Sequence, residues 1–357
     1  MPAASSRSSV CPPLAVLNPG GRDPLVDYSG GAGPFQPGVH PPVNFHAFAA
    51  CSSGAFCQST GDVLERLPGR FPACLLLLRR RIGPCLQAAA QLHRSGVRVL
   101  LSWKECGFTQ IGEQLAHPEL WGPYKELLAL AAGIISPTGA AIPLPPGLEP
   151  PPVHFIPTPY PVDLPEWDFS IPVAERSGIF LGTREFFQPS RNHLAALTLA
   201  LQVAQSTGTH VTVVNPDKRK GLRLLQAVSA GLPSGCLRVL EGRMPYDAYL
   251  RTIARHRVVF QLDRSAVPGQ VAGDALLCRS VCLGGDSAVE QLAFGEETRG
   301  SFPELPWPER LAALLTDDGL LNQVIAESQA RASERLSFAA GRQALAHALL
   351  TSQPSET

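Results

Sequence analysis

The sequence predicts an α/β protein of two β/α domains, and three observations predict it. Apolar runs of strand length alternate with segments whose apolar residues recur at helical spacing. A proline-dense segment, 137–172, interrupts that alternation near the middle of the 357 residues. The length suits two domains of roughly 150–200 residues each better than one.

In the first half, Leu14 to Leu17 reads as a strand ending in a tight Asn18-Pro19-Gly20-Gly21 turn. Val43 to Ala50 (VNFHAFAA) fits either a second strand or the start of a helix. Ala73 to Leu78 is an apolar strand. Cys85 to Arg94 has helical spacing and stops at Gly96. Val97 to Trp103 is a strand and Glu119 to Ala132 a helix, followed by strands Gly133 to Ser136 and Val153 to Ile156. The prolines of 137–172 exclude a helix there, because each removes a backbone donor and fixes φ. The boundary is placed between 1–165 and 166–357.

In the second half, Gly178 to Leu181 is a strand and Arg191 to Ser206 a helix, with Ser190 as its expected N-cap. Strands His210 to Val214, Leu237 to Leu240 and Val258 to Leu262 alternate with helices Gly221 to Ala230 and Pro245 to Ala254. Helix Ala272 to Cys278, strand Val281 to Leu283 and helices over 307–316, 319–332 and 335–350 follow. The TDDG at Thr316 to Gly319 reads as a helix-cap turn.

Composition narrows the function classes. Lys plus Arg and Asp plus Glu both total 30, which gives no bulk attraction to nucleic acid, and none is expected as a partner. No apolar run approaches the ~20 residues of a membrane span, and the start MPAASSRSSVCPP lacks an apolar core of signal-peptide length. The expected location is the cytoplasm. The nine cysteines form no CxxC and read as buried reduced thiols; Cys51 and Cys57 flank a Ser/Gly-rich turn and could meet a metal only with help from His46.

The richest stretch is Arg257 to Gly285, RVVFQLDRSAVPGQVAGDALLCRSVCLGG. Strand, polar loop, Pro-Gly turn, helix with a carboxylate and second strand follow one another. That order puts Gly269 and Asp274 at the carboxyl end of a buried strand, where unpaired N–H groups of a helix start face a crevice.

This stretch and three others, in order, resemble GT-B glycosyltransferases of the retaining, glycogen-synthase-like type. The others are VHFIPTPYPVD (Val153 to Asp163), GIFLGTREFFQPSRNH (Gly178 to His193) and VLEGRMPYDAYLRTIARHRVVFQLD (Val239 to Asp263). The resemblance implies two Rossmann-like domains facing across a cleft. It implies a nucleotide-diphosphate sugar bound by the C-terminal domain, an acceptor of unknown identity entering from the N-terminal domain, and retention of configuration. No cofactor or metal is implied, since the sugar nucleotide is a co-substrate.

Residue by residue, Arg184 and Arg191 are expected at the donor diphosphate, whose charge suits guanidinium forks. Gly269 and Asp274 complete the donor set, with Asp274 in the place of the second Glu of the Glu-x7-Glu pattern and directed at ribose. Ala266 stands where the first Glu belongs, with Asp263 and Ser265 as neighbouring polar groups. Gly20, Gly21 and Lys104 are expected on the acceptor side, and His46 and Glu105 as catalytic groups. The competing readings are a catalytically inactive GT-B-like protein that binds or assembles with an active partner, and a two-domain α/β protein of the epimerase or periplasmic-binder type. The absence of GxGxxG after the first strand argues against a dinucleotide oxidoreductase.

Overall fold

The computed structural model describes residues 11–79, 81–182, 186–299 and 306–352. Strand β1 (Leu14–Leu17) is buried at all four residues, as a strand covered on both faces must be. After β2 (Val26–Asp27), α1 (Phe45–Cys51) and β3 (Ala55–Cys57) come β4 (Ala73–Leu78), α2 (Ile82–Arg94) and β5 (Arg98–Trp103). Helices α3 (Phe108–Gln114) and α4 (Trp121–Ala129) and strands β6 (Gly133–Ser136) and β7 (Val153–Phe155) complete the first half. The sheet order is β2-β3-β1-β4-β5-β6-β7. Every pairing is parallel except that of β2 with β3.

The second half runs β8 (Ile179–Leu181), α5 (His193–Thr207), β9 (Val211–Asn215), α6 (Lys218–Val228), β10 (Leu237–Glu241) and α7 (Tyr246–Ala254). It continues with β11 (Val258–Phe260), α8 (Gln270–Leu277), β12 (Val281–Leu283), α9 (Ala288–Ala293), α10 (Trp307–Thr316), α11 (Asp318–Arg335) and α12 (Phe338–Thr351). Its five strands are parallel throughout, in the order β10-β9-β8-β11-β12. Two parallel Rossmann-like sheets are thus present, as the alternation predicts.

Local differences have physical causes. VNFHAFAA is helical from Phe45, and all seven residues of α1 are buried, so no polar face marks its period. Strands β2 and β3 have two and three residues, too few for a periodic signal. Helix α9 escapes the apolar pattern, yet its capping box is legible: Ser287 accepts from the Glu290 N–H while Glu290 reaches back to the Ser287 N–H. Helix α5 starts after Asn192 in a left-handed conformation, not after Ser190.

Helix α12 crosses back to the first half. Phe338, Leu345 and Leu349 join the core built on β1, β4 and β5. Arg342 Nε donates to the Cys51 carbonyl (2.8 Å) and an Arg98 guanidinium nitrogen to the Leu349 carbonyl (2.7 Å). Gly341 permits the crossing, because a Cβ there would lie 2.5 Å from Pro159 Cγ of the linker. By packing, the chain after Ser337 goes with the first core, whereas a division at 165/166 assigns it to the second.

Each sheet has one place where the chain reverses its direction of growth, between β1 and β4 in the first and between β8 and β11 in the second. Connecting helices leave to opposite faces there, and a crevice opens outside the carboxyl ends of the two strands. Among the described residues, no helix is long and apolar enough to cross a membrane.

Candidate functional site

The carboxyl ends of β8 and β11 meet a cleft of about 690 Å³ lined by both halves of the chain. Its floor is Gly182, just past β8, and Gln261, just past β11. Gly182 is small by necessity: a Cβ would stand 2.4 Å from Val271 Cγ1. Gln261 is 2 % exposed, and its Nε2 donates to Glu290 Oε1 at 2.7 Å. Its Oε1 has no hydrogen-bond partner among the described residues. Burial raises the Glu290 carboxyl above the usual range.

The start of α8 forms one wall. Gly269 caps it at φ 101°, and a Cβ there would fall 2.0 Å from Ser287 Oγ. Glycine therefore lets the β11–α8 loop lie against α9, with Ala288 N and Val289 N donating to the Val267 and Pro268 carbonyls. The first N–H groups of α8 are left at the cleft, a favourable place for an anion.

Arg191 forms a buried ion pair with Asp263, and both line the cleft. Two loops are stitched there. Arg264 N donates to the Ser190 carbonyl (2.8 Å), Asn192 Nδ2 to the Leu262 carbonyl (2.9 Å), and Ser265 N to Asp263 Oδ1 (2.8 Å). Arg243, on the turn after β10, adds a second guanidinium, and Lys104, after β5, brings an ammonium from the opposite domain. Burial, and next the charge of Arg79, lower the Lys104 pKa; Asp23 faces its Nζ at 3.9 Å. Interdomain contacts close the floor: Asn44 Nδ2 donates to Gln270 Oε1 at 3.3 Å, and Gly107 lies against the Ser265 carbonyl.

The structure thus brings Arg191, Gly269, Lys104 and Glu105 to one cleft. Gly20 and Glu105 line an adjoining cavity, while Gly21 folds against Asn18, its N–H donating to the Asn18 carbonyl at 3.0 Å. Arg184 lies outside the described residues.

Two expected site residues lie elsewhere. His46 is 2 % exposed, its ring stacked between His40 (3.7 Å) and Phe56 (3.6 Å), with Nδ1 2.9 Å from Tyr28 Oη. Burial, then the charges of His40 and Lys104, hold its pKa down to about 2, so it stays neutral in the core and does not line the cleft. Asp274 is wholly buried on the inner face of α8, where Tyr246 Oη donates to its Oδ1 at 2.5 Å. It has no exposed surface to offer a ribose. Arg243, Gln261 and Tyr249 line the cleft without having been singled out in the sequence. For Arg243 a signal existed, since it lies two residues past the end of β10; Gln261 falls inside the longer strand that the sequence predicts and leaves it because β11 ends at Phe260.

Comparison of the whole structure with solved ones decides the fold family. The chain is similar to a UDP-forming α,α-trehalose-phosphate synthase from Burkholderia xenovorans, with TM-score 0.52 and 14 % identity over 82 % of this chain and 76 % of that one. The fold is GT-B. A sucrose-phosphate synthase from Thermosynechococcus elongatus gives TM-score 0.52 at 13 % identity, over 79 % of this chain and 73 % of that one. A glycosyltransferase from Rickettsia africae ESF-5 gives 0.54 at 8 % identity, over 76 % and 74 %. No protein-family model matches the sequence, and no curated protein matches it. Within the GT-B arrangement the interdomain cleft is the one just described, and the return of α12 ties its two halves together.

Proposed function

We propose that this chain is a glycosyltransferase that moves a sugar from a nucleotide-diphosphate donor to an acceptor held by the N-terminal half. The observation that carries the reading is the cleft at the β8/β11 switch point, where Arg191, Arg243, Lys104 and the start of α8 converge. A leaving nucleoside diphosphate gains negative charge as the glycosidic bond breaks, and pre-placed cations and N–H groups stabilise that charge. Glu105 stands on the acceptor side and is assigned to an acceptor hydroxyl. A uridine nucleotide is the first candidate donor, by analogy with the UDP-forming structural neighbour. Retention of configuration is part of the proposal through the resemblance to the glycogen-synthase-like type.

Thermal unfolding with UDP, GDP and ADP at millimolar concentration tests donor binding, because a ligand of the native state raises stability. Stabilisation by one of them is expected, and its absence with all three overturns the reading. Sugar-transfer assays with anomeric analysis by NMR then test retention.

One observation favours a second reading, a GT-B protein that binds without catalysis. Ala266 stands where a carboxylate would face the donor sugar, and it is held at φ 49°, a conformation alanine rarely adopts. Nucleotide binding with no turnover of any sugar nucleotide would select it.

A further inference from the structure

The switch point of the first sheet has its own cavity. It holds about 500 Å³ outside the carboxyl ends of β1 and β4 and is bordered by Pro19, Gly20, Arg79, Arg81 and Glu113. Glu105 and Gln110 line both this cavity and the interdomain cleft, so the two spaces adjoin. The volume suits a small molecule.

Its charge arrangement is unusual. Arg79 follows β4 directly and is half-buried, and its Nε is buried without a partner. Among the described residues no carboxylate pairs with Arg79 or Arg81, although Asp23, Glu105 and Glu113 lie in the same region. At its Nε, the half-buried Arg79 guanidinium has given up solvation for no compensating contact. The uncompensated charge also reaches Lys104, whose pKa it helps to lower. Arg81 stands at the N-cap of α2, and Pro84 of that helix's first turn borders the same cavity.

We infer that this cavity is an anion subsite that holds the phosphate or carboxylate of the acceptor through Arg79 and Arg81. The inference deepens the proposed function by naming the acceptor class, a hydroxyl compound carrying an oxyanion. Paired guanidinium donors hold such a group in a fixed orientation. The acceptor's free hydroxyl then points past Glu105 toward the donor.

The test is calorimetric titration of the intact protein with a hexose 6-phosphate and with glycerate, separately. Wild type is compared with Arg79→Gln/Arg81→Gln and with Arg79→Lys, after circular dichroism has shown that each variant is folded. Binding of either probe is expected, weakened about tenfold or more by the double Gln variant and partly restored by Arg79→Lys. The probe that binds tells phosphate from carboxylate. UDP, GDP and ADP are titrated in parallel and are expected to bind the double variant as they bind wild type. If neither probe binds, or if binding ignores Arg79 and Arg81, the inference is overturned. If the probes bind through the arginines while all three nucleotides fail, the donor reading falls and the anion subsite stands.

Discussion

Tyr246 Oη donates a 2.5 Å hydrogen bond to Asp274 Oδ1, and the carboxylate it meets has no solvent-exposed surface. Burial, then the Asp274 charge and hydrogen bond, push the Tyr246 phenol well up, so the proton remains on the tyrosine. Tyr160 of the linker packs over Gly273, where a Cβ would fall 1.9 Å from its Cζ, and feels the same carboxylate. Asp274 thus ties α7 to α8, while Tyr160 brings the linker against the same helix by packing on Gly273. Tyr246→Phe is expected to cost about 1–3 kcal/mol in denaturant unfolding and to change nucleoside-diphosphate affinity by less than about twofold. A large loss of nucleotide affinity in Asp274→Asn with unchanged stability would return Asp274 to the ribose.

Gly269→Ala places a methyl group 2.0 Å from Ser287 Oγ at a backbone φ of 101°. Strain of about 1–3 kcal/mol is expected, together with displacement of the α8 start and at least about a tenfold loss of nucleotide affinity. Urea unfolding and calorimetry read the two effects separately. An unaffected affinity would detach the α8 terminus from the donor.

The two cleft arginines of the second domain are expected to behave differently. Arg243 is exposed on a turn, so Arg243→Ala should weaken nucleoside-diphosphate binding by roughly 1.5–3 kcal/mol and leave stability within about 0.5 kcal/mol. Arg191→Ala also strips Asp263 of its buried partner. It should therefore lower both affinity and melting temperature.

His256 is expected to make the protein acid-sensitive. It is 5 % exposed, with Nδ1 2.8 Å from the Thr252 carbonyl and Nε2 2.8 Å from Thr212 Oγ1. Burial is the largest cause that lowers its pKa to about 4. Between about 6.5 and about 4 the unfolded chain binds a proton that the native one refuses, so stability rises with pH there and falls on acidification. The expected slope is up to about 1.4 kcal/mol per pH unit from this residue, with His46 acting in the same sense. Denaturant midpoints from pH 7 to pH 4 test it. In His256→Gln the slope should flatten; an unchanged slope would assign the acid sensitivity elsewhere.

Much of the fold was legible along the chain. The parallel strands β4, β5, β9 and β12 and the helices α2, α7 and α10 lie close to where apolar runs and helical spacing place them. Lys104 and Glu105 reach the cleft because they sit just beyond the end of β5, and Arg191 and Gly269 because they lie at the helix-side ends of the loops that leave β8 and β11.

Other features were decided only by segments far apart in sequence. VNFHAFAA is helical because its surroundings bury every side. His46 became a core residue when His40 and Phe56 closed on its ring, and Asp274 turned inward because Tyr246 waited there. The return of α12, the second guanidinium at Arg243 and the uncompensated Arg79 likewise depend on which layers meet. Backbone period and proline constraint are written residue by residue, so the sequence by itself determined two β/α halves, their linker and the strand ends that carry the cleft. The facing of each helix is a sum over non-local contacts, so only the tertiary structure decided which polar side chains look into the cleft and which are sealed beneath it.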